Sequence, residues 1–353
     1  MRGLALGLLG VALFALTLPM TRLAVGDAAA PQLPPAFVTS GRAALAGLLS
    51  VGWLLAVRAP RPRRAEWRAL VLSAFGTVLG FPLCLALALR EASAMHAAVV
   101  TGVIPLATAG VAALAWRQRA SRGFWACAAL GGALVIAFGL LASGGRVTAA
   151  DGLLLLAVAS AAVGYVAGAG VATRMPAEQV ICWVLVIALP LTLPAMWLSW
   201  PAPSQPPVRL SAWIGFGYVT LFSMWLGFFA WYRALALGGV MRVSQVQLLQ
   251  PFLALLAAVP ILGEPLEPLT LAFTLAVVLT VFVGRRMPAG TAAGASAGTS
   301  AGPRSVFAAA PASAAAASDP AARIDDRGAP NETNIAPVPS STLPARAATS
   351  EVR

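Results

Sequence analysis

At 353 residues the chain has a length that would suit one or two soluble domains, yet 59% of it is hydrophobic, only 10% is charged and the mean hydropathy is +0.83. So few charges cannot shield that much apolar surface from water, which excludes a soluble globular protein and makes lipid the solvent for most of the chain. The net charge of +12 comes from arginines scattered between apolar runs, with no lysine and no basic stripe, which excludes a nucleic-acid-binding surface.

Crossing a bilayer core as a helix takes roughly 20 apolar residues. Ten such runs follow one another: Gly3–Met20, Pro34–Val57, Ala69–Leu89, Ala92–Trp116, Gly123–Gly145, Gly152–Thr173, Val180–Ala202, Leu210–Tyr232, Val243–Gly263 and Pro268–Gly284. The first, preceded by Arg2, has the look of a signal peptide but is long enough to cross, and it is expected to stay as span one. The links are short and rich in Pro, Gly and Arg, as at 58–64, 143–146 and 201–207. Trp53, Trp67, Trp116, Trp125, Trp197, Trp200 and Trp213 fall near run ends, where an indole suits the headgroup level. Beyond Arg286 the sequence turns to Ala, Gly, Ser, Pro and Thr, too poor in large apolar residues to offset its ordering entropy; 287–353 is expected to be a disordered tail.

Polar groups inside the runs are the candidate functional residues. Arg42 lies about eight residues into span two, where a buried charge is costly unless it snorkels to the headgroups or faces a polar cavity. His96, near the start of span four, carries an imidazole that can take up a proton and is the candidate proton carrier, with a plain interfacial role as the alternative. Pro105 and Pro251 each free backbone carbonyls about halfway across, either to line a cavity or only to kink a helix. In span eight Tyr218, Phe222, Trp225 and Phe229 follow i, i+4, i+7 and i+11, one continuous face that with Tyr165 and Trp183 could wall an amphipathic pocket or simply pack. Gly164 and Gly168 form a small-xxx-small pair suited to close helix packing. In span nine Ser244, Gln247 and Gln250 recur every third residue, which keeps them off lipid and turned towards a substrate path or a neighbouring helix.

The arginines give the runs a direction. With ten spans, both termini and the even-numbered links share one side, which holds Arg2, Arg58, Arg61, Arg63, Arg64, Arg68, Arg117, Arg119, Arg122, Arg174, Arg233, Arg242, Arg285 and Arg286; the other side holds Arg22, Arg90, Arg146 and Arg209. That imbalance places both termini in the cytoplasm. Sliding the sequence by 146 residues lays Ala94 and Met95 on Val240 and Met241, Ala88 and Leu89 on Ala234 and Leu235, and Pro105 on Pro251. Five spans per half is an odd number, so the second half must be inverted relative to the first. An inverted repeat is the architecture expected of a secondary transporter with its site between the halves.

The stretch from Met241 through Val243, Gln247 and Gln250 to Pro251, with Leu262, Gly263 and Glu264 ten residues on, resembles the end of the second EamA repeat of the drug/metabolite transporter superfamily. Trp231 to Leu235 and Arg42 fit the same resemblance, which covers residues 3–286. Gln250 stands where the family often has Glu, and Trp116, Arg117 and Gln118 stand where the first half would carry Leu-Gly-Glu.

The expected architecture is therefore an all-α integral membrane protein of ten transmembrane helices. It comprises a first EamA repeat over 3–145, a second over 150–286, and the tail over 287–353. The resemblance implies spans one to four and six to nine around a central cavity. The expected function is export of small polar or amphipathic metabolites across a bacterial cell (inner) membrane. In this scheme Arg42, Tyr165, Trp183, Tyr218, Trp225, Ser244, Gln247 and Gln250 contact the substrate. The alternative is a membrane scaffold that recruits partners through its tail. The spans contain no carboxylate, and Cys84, Cys127 and Cys182 lie far apart without metal spacing. No hydrolase or phosphate-binding motif occurs, so neither an enzyme nor a cofactor or metal is expected. A small-molecule substrate, the lipid bilayer and a second copy of the chain in a homodimer are the expected partners.

Overall fold

The structure is a computed structural model and describes residues 2–115, 119–142, 144–202, 207–238, 246–286 and 289–290. Ser244 and nearly all of 287–353 lie outside the described residues. Among the described residues, nine helices are long and apolar enough to cross a membrane: α1 (Gly3–Val25), α2 (Pro35–Ala56), α3 (Arg64–Ala88), α4 (Ala94–Ala115), α5 (Arg122–Ala142), α6 (Ala149–Ala172), α7 (Ala177–Leu198), α8 (Leu210–Trp231) and α10 (Pro268–Arg286). The remaining run appears as a shorter apolar helix, α9 (Gln247–Leu262). The ten helices match the ten runs of the sequence in order. Two-residue strands, Arg119–Ala120 and Ala289–Gly290, pair antiparallel.

The helices start and stop for local reasons. Pro34 and Pro35 open α2, where a fixed φ and a missing N–H cost nothing. Thr148 accepts from the Asp151 amide while Asp151 accepts back from the Thr148 amide, a reciprocal cap that opens α6. At the end of α9, Gly263 adopts φ +70°, the left-handed conformation that terminates a helix and that glycine takes without strain.

Helix pairing follows a two-fold relation between the halves. α2 packs on α7, α4 on α9 and α5 on α10, each helix against its own counterpart. α1 packs on α8 as α6 packs on α3, and α1 on α9 as α6 on α4. The interior between α3 and α6 is unusually close. A Cβ added to Gly76 would lie 2.6 Å from Gly164 Cα, and one added to Gly168 would lie 3.0 Å from Ser73 Oγ. The small-xxx-small pair thus serves the backbone contact expected of it.

α3, α4, α8 and α9 are irregular at equivalent places. α4 loosens at Gly102 and Val103, just before Pro105, and α9 begins with a 3₁₀ turn, Gln247–Leu249, just before Pro251. α3 widens into a π-helical stretch over Ala74–Gly80, and α8 does so over Val219–Leu226. Under the 146-residue shift these two stretches coincide to within one residue. No residue type in either stretch announces the widening.

Candidate functional site

A cavity of about 310 Å³ lies among the helices of both halves. Its walls come from α1 (Phe14, Thr17, Leu18), α2 (Arg42), α3 (Ser73, Thr77, Phe81, Pro82) and α4 (Ala98 to Thr108). The second half adds the end of α6 (Gly164, Tyr165, Gly168, Ala169), the start of α7 (Val180, Ile181, Val184), the second half of α8 (Ser223, Met224, Phe228, Trp231) and the start of α9 (Gln247, Gln250, Pro251). α5 contributes nothing, whereas α10, expected to be peripheral, adds Val278 and Val281. The lining parts of α6, α7 and α9 all belong to the end of the bundle that carries the even-numbered links, so the cavity runs from the middle of the bundle towards that end.

The breaks serve this cavity. Where a helix widens or lacks an N–H, side chains and carbonyls that would follow the regular spiral are redirected, and such defects concentrate where helices surround a site. Pro105 and Pro251 line the cavity, as do Thr77 from one π-helical stretch, with Ser73 just before it, and Ser223 and Met224 from the other.

Arg42 is 3% exposed. Instead of snorkelling, it crosses to α8, where Nη2 donates to Ser223 Oγ at 3.2 Å and approaches Met224 Sδ at 3.6 Å. Ser223 Oγ is in turn 2.8 Å from Thr17 Oγ1, so α1, α2 and α8 meet at this point. Arg42 Nε has no hydrogen-bond partner. Neither of the two ion pairs among the described residues involves Arg42, and no Asp, Glu or His lines the cavity. Tyr165 is on the same wall and within electrostatic reach of the guanidinium. Gln247 and Gln250 line the same cavity from α9.

Three expected aromatic residues lie elsewhere. Trp183, Tyr218 and Trp225 are absent from the cavity wall. The π-helical stretch explains the last two, because extra residues per turn break the continuous face that a regular helix would give to Tyr218, Phe222, Trp225 and Phe229. Tyr218 stacks on Phe222, with centroids 5.2 Å apart, and its hydroxyl donates to the Leu13 carbonyl at 3.1 Å. Trp225 packs on Phe229, and Trp183 joins the same apolar cluster beside α7. The aromatic groups that do line the cavity are Phe14, Phe81, Tyr165, Phe228 and Trp231.

The opposite, odd-link end is tied shut by polar contacts. Arg22 donates from Nη1 to the carbonyls of Leu89 and Ala92 and lies 3.7 Å from the Asp27 carboxylate. The Ala28 amide donates to the Arg90 carbonyl at 2.9 Å, and burial holds the Arg90 guanidinium below the ordinary arginine pKa. Further contacts join the halves across this end, among them the Arg209 amide donating to Gln32 Oε1 at 2.9 Å. Glu264 accepts from the amides of Ala94 and Met95 at 2.7 and 2.9 Å, capping the start of α4. His96 Nε2 lies 2.7 Å from Asp151 Oδ1, which places His96 at this seal and away from the cavity wall.

Comparison with known proteins agrees with this architecture. The EamA-like transporter family matches residues 1–140 and again 148–284. The chain is 41% identical over 280 residues to the uncharacterized transporter YdeK of Bacillus subtilis (strain 168), covering 79% of this chain and 96% of that one. A crystal structure at 21% identity superposes with a TM-score of 0.52, covering 80% of this chain and 97% of the other, and shares the fold.

Proposed function

The chain belongs to the EamA-like transporter family, and with it to the drug/metabolite transporter superfamily, and from that premise we propose that it is a secondary transporter. It moves small polar or amphipathic metabolites by alternating access between its two inverted halves. The observation that carries this reading is the cavity itself, walled by both halves and bordered by matching helix breaks. A volume of about 310 Å³ is at the lower end of the roughly 300–1,000 Å³ typical of small-molecule sites. Arg42 attracts the substrate, Gln247, Gln250 and Tyr165 hydrogen-bond it, and Phe14, Phe228 and Trp231 pack on it.

The arginine-rich end is cytoplasmic in this proposal, following the positive-inside bias. The cavity lies towards that end while the opposite end is sealed, which supports loading from the cytoplasm and export across the cell membrane. His96 and Asp151, joined across the halves at the seal, are the groups through which a proton gradient would act on the cycle. Flux of a labelled metabolite panel in reconstituted vesicles tests the assignment. Wild type is expected to move at least one compound, and Arg42→Ala and Gln250→Ala are expected to lose it; wild-type flux in both variants would refute the site.

A further inference from the structure

Resting on the transporter reading above, we infer that the substrate is an amphipathic organic acid carrying a single negative charge, held by Arg42 as its counter-ion. Among the described residues Arg42 is the one charged side chain on the cavity wall, and it is almost wholly buried. Its neighbours are a hydroxyl and a thioether, Ser223 and Met224, which accept hydrogen bonds but carry no charge. A guanidinium removed from water without a counter-ion is strongly disfavoured, and breaking a buried pair costs more than the pair is worth. The protein therefore holds half of an ion pair open to the cavity, with Nε still unpartnered.

The rest of the wall narrows the ligand further. A zwitterion would bring an ammonium group into the same space, and no Asp or Glu lines the cavity to meet it. Neutral oxygens and aromatic faces return only part of the cost of burying that second charge. A phosphate carries more than one charge and is usually met by several cations or by a cluster of backbone amides, whereas one arginine matches one charge. Elsewhere the wall carries the aromatic groups Phe14, Phe81, Phe228 and Trp231, which suits a carboxylate attached to a ring or a short hydrocarbon frame.

The experiment uses the purified full chain and three probes on one frame: phenylpropanoate, an anion; phenylalanine, a zwitterion; and phenethylamine, a cation. Binding is read as concentration-dependent stabilisation against heat, which reports affinity by mass action. Phenylpropanoate is expected to bind at least about tenfold tighter than either relative. Arg42→Gln is expected to weaken it on the order of a hundredfold, while Arg42→Lys keeps part of the preference for the anion. Wild type and Arg42→Lys decide the matter even if Arg42→Gln does not fold. Equal or tighter binding of phenylalanine or phenethylamine overturns the inference and leaves the transporter reading standing. So does undiminished binding of phenylpropanoate by Arg42→Gln. Binding of none of the three overturns the inference too, and metabolite flux in vesicles then decides separately whether the transporter reading survives.

Discussion

Glu264 Oε1 lies 2.7 Å from the amide nitrogen of Ala94, so a residue just after α9 caps the first turn of α4 in the other half of the molecule. The Leu-Gly-Glu pattern is thereby resolved into two tasks. Gly263 turns the chain out of α9 with positive φ, and Glu264 uses the released loop to satisfy the free N–H groups of α4. Replacing Glu264 with Ala removes both acceptors and should cost about 1–2 kcal/mol, seen as a lower melting temperature. Because the contact belongs to the seal, labelling of cysteines placed near Ala94 from the odd-link side should also speed up. An unchanged labelling rate would show that the cap is only a stabilising feature.

Gly76 and Gly164 set the spacing of α3 and α6. Any Cβ at Gly76 meets Ser160 and Gly164 backbone atoms at 2.5–2.7 Å, and neither can yield without moving a helix. Gly76→Ala should therefore destabilise by about 1–3 kcal/mol. Gly132→Ala, in a helix interior with nothing within 4 Å, should instead stabilise by about 0.5–1 kcal/mol. Thermal melts of the two variants side by side check the contrast.

The two tyrosines divide by place. Tyr218 is tied to the Leu13 carbonyl outside the cavity, so Tyr218→Phe should cost about 1 kcal/mol of stability and leave the KM for transport unchanged. Tyr165 lines the cavity, so Tyr165→Phe should raise KM several-fold with little effect on melting. A reversed pattern would return the span-eight aromatic face to the site.

His96 and Asp151 offer a test of coupling. Asp151 also accepts from the Thr148 amide and hydroxyl, so Asp151→Asn disturbs the cap of α6 as well as the ion pair. His96→Gln is the cleaner variant. It should abolish the response of flux to an imposed pH gradient while leaving exchange at equal pH intact. Retention of the full response would remove His96 from the coupling scheme.

What the sequence revealed and what it hid divide along regular and irregular backbone. Hydropathy runs gave the ten helices in order, because lipid demands long apolar helices wherever they sit. Matching prolines at 105 and 251 pointed to both helix breaks, because proline announces itself. The π-helical widening at Ala74–Gly80 and Val219–Leu226 arises from tertiary packing and carries no residue signature, and its phase change misdirected Tyr218 and Trp225. Arg42, Gln247 and Gln250 were recognisable because polar groups in a membrane helix need a reason. Ser223, which receives the Arg42 bond, was not, since a lone serine in a span costs too little to stand out.

The central claim, that substrate crosses through this cavity, is tested most directly by filling it. Ala169 lies on the wall at the end of α6, and Ala169→Trp would place a large side chain across the space. In vesicles, the account predicts that this variant inserts and melts like wild type yet moves none of the compounds that wild type moves. Transport at the wild-type rate by a correctly folded Ala169→Trp protein would contradict it.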